Sequence, residues 1–379
     1  MTLSIQSKYF LFIFLLFPFM GHIYSSSIPI LYAGNILIIS SLIFTIFTIF
    51  TIFIKSNKSL SVSKDFGYFI FLLIYFSFIG ISNNDFNFIK YYAYVFILFF
   101  VLDSFFIDKR IFLLFIKIIV YTFIFMFILY IIASISSDFV KYFQVINLEY
   151  YPSLMLANFE HRPNLSILLY ILTYSEGFNV GNVSILGLPR FYGFSREPTL
   201  YSMFVLPTIF MSIYLKKKFY TYTLIFALFL TSSFGALISF LVSLPFLFLS
   251  RKGCKYYIIA GFISIIGIYL LVNKYMPALQ MLDIPRISSY AESFSEYSFN
   301  NIIKIIPNIL LFYYVVAKIY KIKNQKFNVA LAFGISSLLI SGKGGEVLSP
   351  LLIFYISFIF FMFKEYNSNS LKYSNNRDK

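Results

Sequence analysis

The sequence predicts an all-α, polytopic membrane protein with about twelve transmembrane helical elements and a large outer loop between the fifth and the sixth. Of its 379 residues, 60% are hydrophobic and only 12% are charged, whereas soluble globular domains carry about 25% charged residues. Long apolar runs recur along the chain, and basic residues cluster in alternate connections between them. We therefore predict one polytopic domain, 1–379, which contains the outer loop 136–198.

The apolar runs can be delimited by the polar breaks between them, at 1.5 Å per residue and about 30 Å of hydrocarbon. Met20-Gly21-His22-Ile23 follows the first run in place of a small-x-small cleavage site, so we expect no cleavable signal peptide. The predicted membrane segments are Phe10–Tyr24, Ile28–Ile54, Phe66–Ile81, Phe88–Leu102, Ile111–Ile135, Thr199–Leu215, Phe219–Leu249 as a pair, Tyr256–Val272, Ile302–Tyr320, Phe327–Ile340 and Val347–Phe363.

The basic residues predict the orientation, because Lys and Arg beside short loops stay in the cytoplasm. With both termini cytoplasmic, most of the 30 basic residues but only a third of the 15 acidic ones lie inside. The segment Phe219–Leu249 must then cross twice, with its break at Ser232-Ser233-Phe234-Gly235. Two full spans and a hairpin that enters and returns both satisfy this pattern.

The composition also excludes several kinds of chemistry. One cysteine, Cys254, and two histidines, His22 and His161, rule out a disulfide framework and a Cys/His metal cluster. The net charge of +15 follows from the orientation, so it does not indicate a nucleic-acid partner. We expect no metal and no cofactor.

The loop 136–198 is the only long connection, and long loops in compact proteins are usually functional or disordered. Its many Phe and Tyr residues argue against disorder, and its segment Leu165–Tyr174 is predicted to form a helix on the membrane surface. We therefore expect a structured cap over an outward-facing cavity.

The last part of this loop, Pro189 to Tyr201, runs directly into a predicted helix. Pro198 suits the first helical turn, and Glu197 suits the positive end of the helix dipole. Arg190 and Arg196 beside exposed backbone amides would bind a phosphate or diphosphate, because guanidinium groups match phosphate oxygens in bidentate fashion. The alternative is that both arginines pair with Glu197 and lipid headgroups and only anchor the helix.

Two further outer loops carry cations. Residues 273–301 contain Arg286, which follows Pro285 and could simply close a turn. The segment Ser341-Gly342-Lys343-Gly344-Gly345-Glu346 lacks the spacing and the preceding strand of a phosphate-binding loop, so we do not assign it a nucleotide.

These features together resemble the O-antigen and capsule repeat-unit polymerases (Wzy-type) of the O-antigen ligase superfamily. Arg190, Gly193, Glu197 and Pro198 match an Arg-x-x-Gly-x-x-x-Glu-Pro-Ser-like stretch of that family, with Thr199 in place of Ser. The segment Leu230 to Ala236 is similar to the family's Thr-x-Ser-Arg-Gly-Ala segment, although Phe234 replaces its arginine. No histidine lies near Lys343 as in the ligase branch, which favours a polymerase.

The resemblance implies a metal-independent glycosyltransferase that polymerises undecaprenyl-diphosphate-linked oligosaccharide repeat units on the outer face of the membrane. The predicted location is therefore the bacterial plasma (inner) membrane. The product would be an O-antigen or capsule-type polysaccharide. Its partners would be the lipid-linked glycans, membrane lipids and, as an option that the sequence leaves open, a chain-length regulator protein.

The reaction that the resemblance implies assigns roles to six candidate residues. Cations must neutralise the departing diphosphate, which is a task for Arg190, Arg196 and Arg286. Glu197, Glu160 or His161 could orient or deprotonate the acceptor hydroxyl. As alternatives, Glu197 only caps its helix, and His161 belongs to a solvated salt-bridge cluster with Glu160 and Arg162.

Two other functions remain as alternatives. A flippase for lipid-linked oligosaccharides would have a similar number of helices, but it should carry charged residues inside its spans. Lys90, Lys117 and Lys304 are almost the only such residues here, and all are predicted near a membrane edge. A glycosyltransferase that uses polyprenyl monophosphate sugars should have acidic residues in its first outer loop, which here is Ser25-Ser26-Ser27.

Overall fold

The helical core of the protein is a bundle that includes the predicted helices on both sides of the large loop. The structure is a computed structural model. It describes residues 74, 109–135, 144–147, 165–168, 172–175, 191, 193, 198–261, 263, 313, 315–322, 326–341, 354–363 and 365.

Eight helices and one small sheet can be followed in these residues. The helices are α1 (Lys109–Ile135), α2 (Pro198–Tyr214), α3 (Lys218–Thr231), α4 (Phe234–Ser243, continued by a 3-10 turn Leu244–Leu247), α5 (251–261), α6 (315–320), α7 (Lys326–Ser341) and α8 (Phe354–Phe363). Helix α2 packs against α3, α4, α7 and α1, so it lies at the centre of the described bundle.

Several predicted boundaries are confirmed. Helices α1, α2 and α7 begin and end within two residues of the predicted segments Ile111–Ile135, Thr199–Leu215 and Phe327–Ile340. Pro198 is the first residue of α2, as its fixed φ and missing amide hydrogen predict. The break between α3 and α4 falls at Ser232 and Ser233, where Ser232 adopts a left-handed conformation with φ 46°.

Helix length separates α1 from the other described helices. Among the residues that the structure describes, one helix, over Lys109–Ile132, has both the length and the apolar composition to cross a membrane. Helices α2, α3 and α7 are apolar but contain 17, 14 and 16 residues, or about 21–26 Å. The twelve-element arrangement is therefore not established by the described helices.

The predicted surface helix over Leu165–Tyr174 is wrong. This segment forms two antiparallel strands, β2 (Leu165–Leu168) and β3 (Leu172–Ser175), and β2 also pairs with β1 (Gln144–Asn147). The two strands are mostly apolar, with Ser166, Thr173 and Ser175 as their polar residues, and a short apolar run suits a strand as well as a helix once a partner strand is present. The outer loop therefore adds a three-stranded sheet to the predicted all-α fold.

The start of α5 also differs from the prediction, because the helix begins at Arg251 rather than at Tyr256. Ser250 is its N-cap: the Ser250 Oγ accepts the amide hydrogen of Gly253 at 3.1 Å, and the Ser250 carbonyl accepts that of Cys254 at 2.8 Å. The basic residues predicted to lie in a loop therefore form the exposed first turn of the helix.

The basic residues of the described helices gather at one end of the bundle. Lys326 binds Glu365 with an Nζ–Oε2 distance of 3.0 Å, and the Tyr214 hydroxyl donates to the same oxygen at 2.7 Å. Arg251 donates to the carbonyl of Tyr320 and lies over the Tyr320 ring. We call this the basic end; the described helix ends and connections here are 109–110, 216–218, 251–255, 318–322, Lys326 and Glu365.

These segments are the ones predicted to share the cytoplasmic side. They lie at the same end of the described bundle, and the opposite ends of α1, α2 and α3 meet around Phe191. The side of a membrane that the basic end faces stays a prediction. Helices α3 and α4 leave the basic end and return to it, as a double crossing of Phe219–Leu249 requires.

The connection between α2 and α3 is a Schellman turn with an unusual residue. Lys216 has φ 57°, its amide donates to the Ile213 carbonyl, and the Lys217 amide donates to the Ser212 carbonyl. Glycine usually occupies this left-handed position. A lysine there costs about 1 kcal/mol relative to glycine.

The environment of Glu365 predicts how the stability of the basic end depends on pH. Burial raises the pKa of this carboxyl, but the hydrogen bonds from Tyr214 and Lys326 and the charges of Lys326 and Lys109 outweigh burial and hold its pKa below the ordinary 4.5. A depressed pKa in the folded state means that the carboxylate stabilises the fold above the unfolded pKa. This contribution is lost as the pH falls through the folded pKa.

We therefore expect the apparent melting temperature of the detergent-solubilised protein to fall as the pH is lowered below about 4.5. Glu365→Gln should lower the melting temperature at pH 7 and weaken this acid dependence. Thermal unfolding followed by intrinsic fluorescence between pH 3 and pH 7 measures both effects. If Glu365→Gln shows the same acid dependence as the unmodified protein, Glu365 is not its source. Asp378→Asn is the matched control and should leave the acid dependence unchanged.

Candidate functional site

The end of the bundle opposite the basic end holds the two segments that the sequence analysis selected. Phe191 is fully buried there. Its ring makes edge-on contacts with Phe123 and Tyr130 of α1 and Tyr201 of α2, each with ring centroids 5.4 Å apart. Its amide donates to the carbonyl of Leu230 near the end of α3 at 3.1 Å. One residue of the outer loop thus joins three helices.

Gly193 continues this anchor in a way that requires glycine. Its φ is 56°, and a Cβ at this position would lie 2.5 Å from the Tyr201 ring. The left-handed conformation is strained for other residues, and real Cβ atoms do not approach a ring this closely. The Gly193 backbone therefore packs directly against the Tyr201 ring in the first turn of α2.

A buried pair of hydroxyl groups joins α2 and α3. The Ser202 Oγ of α2 donates to the Thr231 Oγ1 of α3 at 3.1 Å, and Thr231 Oγ1 in turn donates to the Leu228 carbonyl at 2.7 Å. The amide of Ser233 also points to Thr231 Oγ1, at 3.4 Å. These bonds hold the turn between α3 and α4 beside the start of α2.

The structure therefore brings together two segments about forty residues apart in the sequence. The first contains Phe191, Gly193 and Pro198, and the second is Leu230 to Ala236. Both segments resemble polymerase motifs in sequence alone, so their contact in space is a separate observation.

The candidate catalytic residues themselves lie outside the described residues. Arg190 directly precedes the anchored Phe191 in the sequence, and Arg196 and Glu197 directly precede α2. Glu160, His161 and Arg286 belong to other parts of the outer loops. Their proposed roles stay predictions.

Sequence reasoning missed the residues that build the anchor. In the sequence, Phe191 is only one of many aromatic residues of the loop, and nothing there pairs Ser202 with Thr231. A signal for Phe191 is nevertheless present, because it is an apolar residue between a candidate anion-binding arginine and a glycine. Nothing in the sequence marks Leu230 as its hydrogen-bond acceptor.

The comparisons with known proteins give no relative. No family model matches the chain, no curated protein is significantly similar to it in sequence, and no solved structure is significantly similar to it.

The contact of Gly193 with Tyr201 leads to a test of the anchor. Gly193→Ala should lower the stability of the protein by about 2 kcal/mol or more, because it combines a left-handed Cβ with steric overlap. Apparent melting temperature in detergent measures the effect.

Gly261→Ala is the matched control, because Gly261 lies in α5 and a Cβ added there would meet no atom within 4 Å. Alanine should stabilise that helix by about 0.5–1 kcal/mol. Equal melting temperatures for Gly193→Ala and the unmodified protein would show that the anchor is not formed.

Proposed function

We propose that this protein is a membrane glycosyltransferase that polymerises undecaprenyl-diphosphate-linked oligosaccharide repeat units into an O-antigen or capsule-type polysaccharide. The observation that carries the proposal is the contact between the two polymerase-like segments. The Phe191 amide binds the Leu230 carbonyl, and Ser202 binds Thr231, at one end of the bundle. Segments that serve one reaction should meet in space.

Membrane placement is part of the proposal, with twelve helical elements and both termini in the cytoplasm. It is supported by apolar stripes on the bundle surface. Helix α1 exposes Tyr121, Phe125, Ile128, Ile132 and Ile135, which are spaced by three or four residues and therefore share one face. A contiguous apolar face of this length suits contact with lipid.

A second stripe supports the same placement. Helix α3 exposes Phe219, Tyr222, Phe226 and Phe229 at the same helical spacing. The polar side chains buried in the described bundle are hydroxyls, and many of them bond backbone carbonyls three or four residues earlier, as Ser239 and Ser243 do. This is how polar groups are accommodated where water is absent.

The proposed reaction transfers the growing glycan from its lipid carrier to a new lipid-linked unit. The bond between the anomeric carbon and the diphosphate oxygen breaks, and a bond forms from that carbon to an acceptor hydroxyl oxygen. The hydroxyl proton passes to a base, for which Glu197, Glu160 and His161 are the candidates. Arg190, Arg196 and Arg286 would neutralise the diphosphate that leaves with the lipid.

The alternative function, a flippase, would need polar or charged groups lining a path through the bundle. In the described part of the bundle the buried polar residues are Ser and Thr, which favours the polymerase over the flippase. Deletion of the gene separates the two functions: a polymerase mutant retains glycans of one repeat unit, whereas a flippase mutant loses surface glycan entirely.

We expect Arg190→Ala and Arg196→Ala to remove long polysaccharide while the protein still inserts into the membrane. Arg→Lys at either position should also impair activity, because a point charge cannot make the bidentate contact. Gel analysis of surface glycan gives the chain-length ladder, and immunoblotting gives the protein level. Arg377→Ala, in the C-terminal tail, is the control; normal ladders in both Arg→Ala variants would remove the diphosphate site.

The proposed orientation is tested by cysteine labelling in a Cys254→Ala background, since Cys254 is the single native cysteine. Asn158→Cys should react with a membrane-impermeant maleimide in intact cells. Asn324→Cys should react only after the cells are permeabilised. The reverse pattern would invert the topology and remove the outer-face reaction.

A further inference from the structure

We propose that the basic end of the bundle carries a docking surface for the headgroups of anionic phospholipids, such as phosphatidylglycerol. We call this surface the basic collar and define it by Lys216, Lys217, Lys218, Lys252 and Lys255. The proposal rests on the membrane placement within the proposed function, but not on the glycan chemistry.

The charge of the collar is the first support. All five lysines are exposed; three are consecutive in the connection between α2 and α3, and two lie in the first turns of α5. Among the residues that the structure describes, Glu365 is the only carboxylate, and Lys326 and Tyr214 already bind it. Within the described residues the charge of the collar is therefore positive, which suits an anionic surface.

Exposed aromatic rings next to the lysines are the second support. Phe219 follows Lys218 and is 63% exposed, and Tyr256 follows Lys255 and is 69% exposed. Phe248, just before α5, is 81% exposed. Aromatic rings concentrate at the boundary between hydrocarbon and headgroups. Lysine nitrogens beside such rings lie at the depth of the lipid phosphates.

The conformation of Lys216 is the third support. Its left-handed backbone at the end of α2 is the position where glycine is most favourable, yet the chain has a lysine there. A requirement for charge at this point of the collar would explain why a less favourable residue is present.

The test is the lipid selectivity of the purified, full-length protein in phosphatidylcholine membranes. Electron paramagnetic resonance of trace spin-labelled lipids gives the association of phosphatidylglycerol relative to phosphatidylcholine at the protein surface. We expect a ratio of about five or more at low salt, falling towards one at high salt as the charges are screened. A ratio of one at low salt would overturn the proposal.

Two variants assign the selectivity to the collar. Replacing Lys216, Lys217 and Lys218 together by Gln should bring the ratio close to one. Replacing Lys372, Arg377 and Lys379 in the C-terminal tail by Gln removes the same charge and should leave the ratio unchanged. An equal loss of selectivity in both triple variants would overturn the assignment to the collar.

A single substitution tests the lipid selectivity of the collar even if the triple variant does not insert into the membrane. Lys216→Gly removes one charge and also relieves the left-handed strain, so it should raise the melting temperature in pure phosphatidylcholine while lowering the lipid ratio by about twofold. An unchanged ratio in this variant would contradict the proposal. Glycan ladders report on the polymerase and the lipid ratio reports on the collar, so either can fail alone.

Discussion

The end of the bundle opposite the basic end depends on the anchoring of Phe191 between α1, α2 and α3. Its ring packs against Phe123, Tyr130 and Tyr201. Its amide donates to the carbonyl of Leu230, which has no donor within its own helix because it lies in the last turn. The ring contacts fix where the loop lies, and the hydrogen bond fixes its register. Phe191 is therefore held from three sides, so its backbone position is fixed by side-chain packing and by a main-chain hydrogen bond together.

The bundle handles its polar groups in a consistent way. Buried serine and threonine hydroxyls mostly donate a hydrogen bond to a backbone carbonyl of their own helix, as Thr208 does to Phe204. After the 3-10 turn that continues α4, a side chain from α7 satisfies the free carbonyls: the Asn328 amide donates to the carbonyls of both Leu247 and Leu249. In the described part of the chain, the charged side chains lie at the basic end, apart from Lys117 of α1. Hydroxyls that bond their own helix suit a low-dielectric surrounding, as the proposed membrane placement requires.

The sequence predicted best the features that depend on local chemistry. Pro198 marks a helix start because proline lacks an amide hydrogen, and Ser232-Ser233 marks a break in an otherwise apolar run. The strands β2 and β3 were missed because a short apolar segment is compatible with helix or strand until its partner, β1, is known. Burial of Phe191 was beyond sequence reasoning for the same reason, since it depends on three helices at once. Within the candidate site, the segment Pro189 to Tyr201 could be predicted from its residues, whereas the burial of Phe191 could not.

Two hydrogen bonds between α2 and the C-terminal part of the described chain have a consequence for biogenesis. The Tyr355 hydroxyl donates to the Met203 carbonyl, and Tyr214 donates to Glu365, across sequence separations of 152 and 151 residues. Both partners of α2 are therefore synthesised long after α2 itself has left the ribosome. The central helix gains these two bonds only after Tyr355 and Glu365 have been synthesised. Until then, the segments that meet at Phe191 belong to a bundle that lacks both bonds.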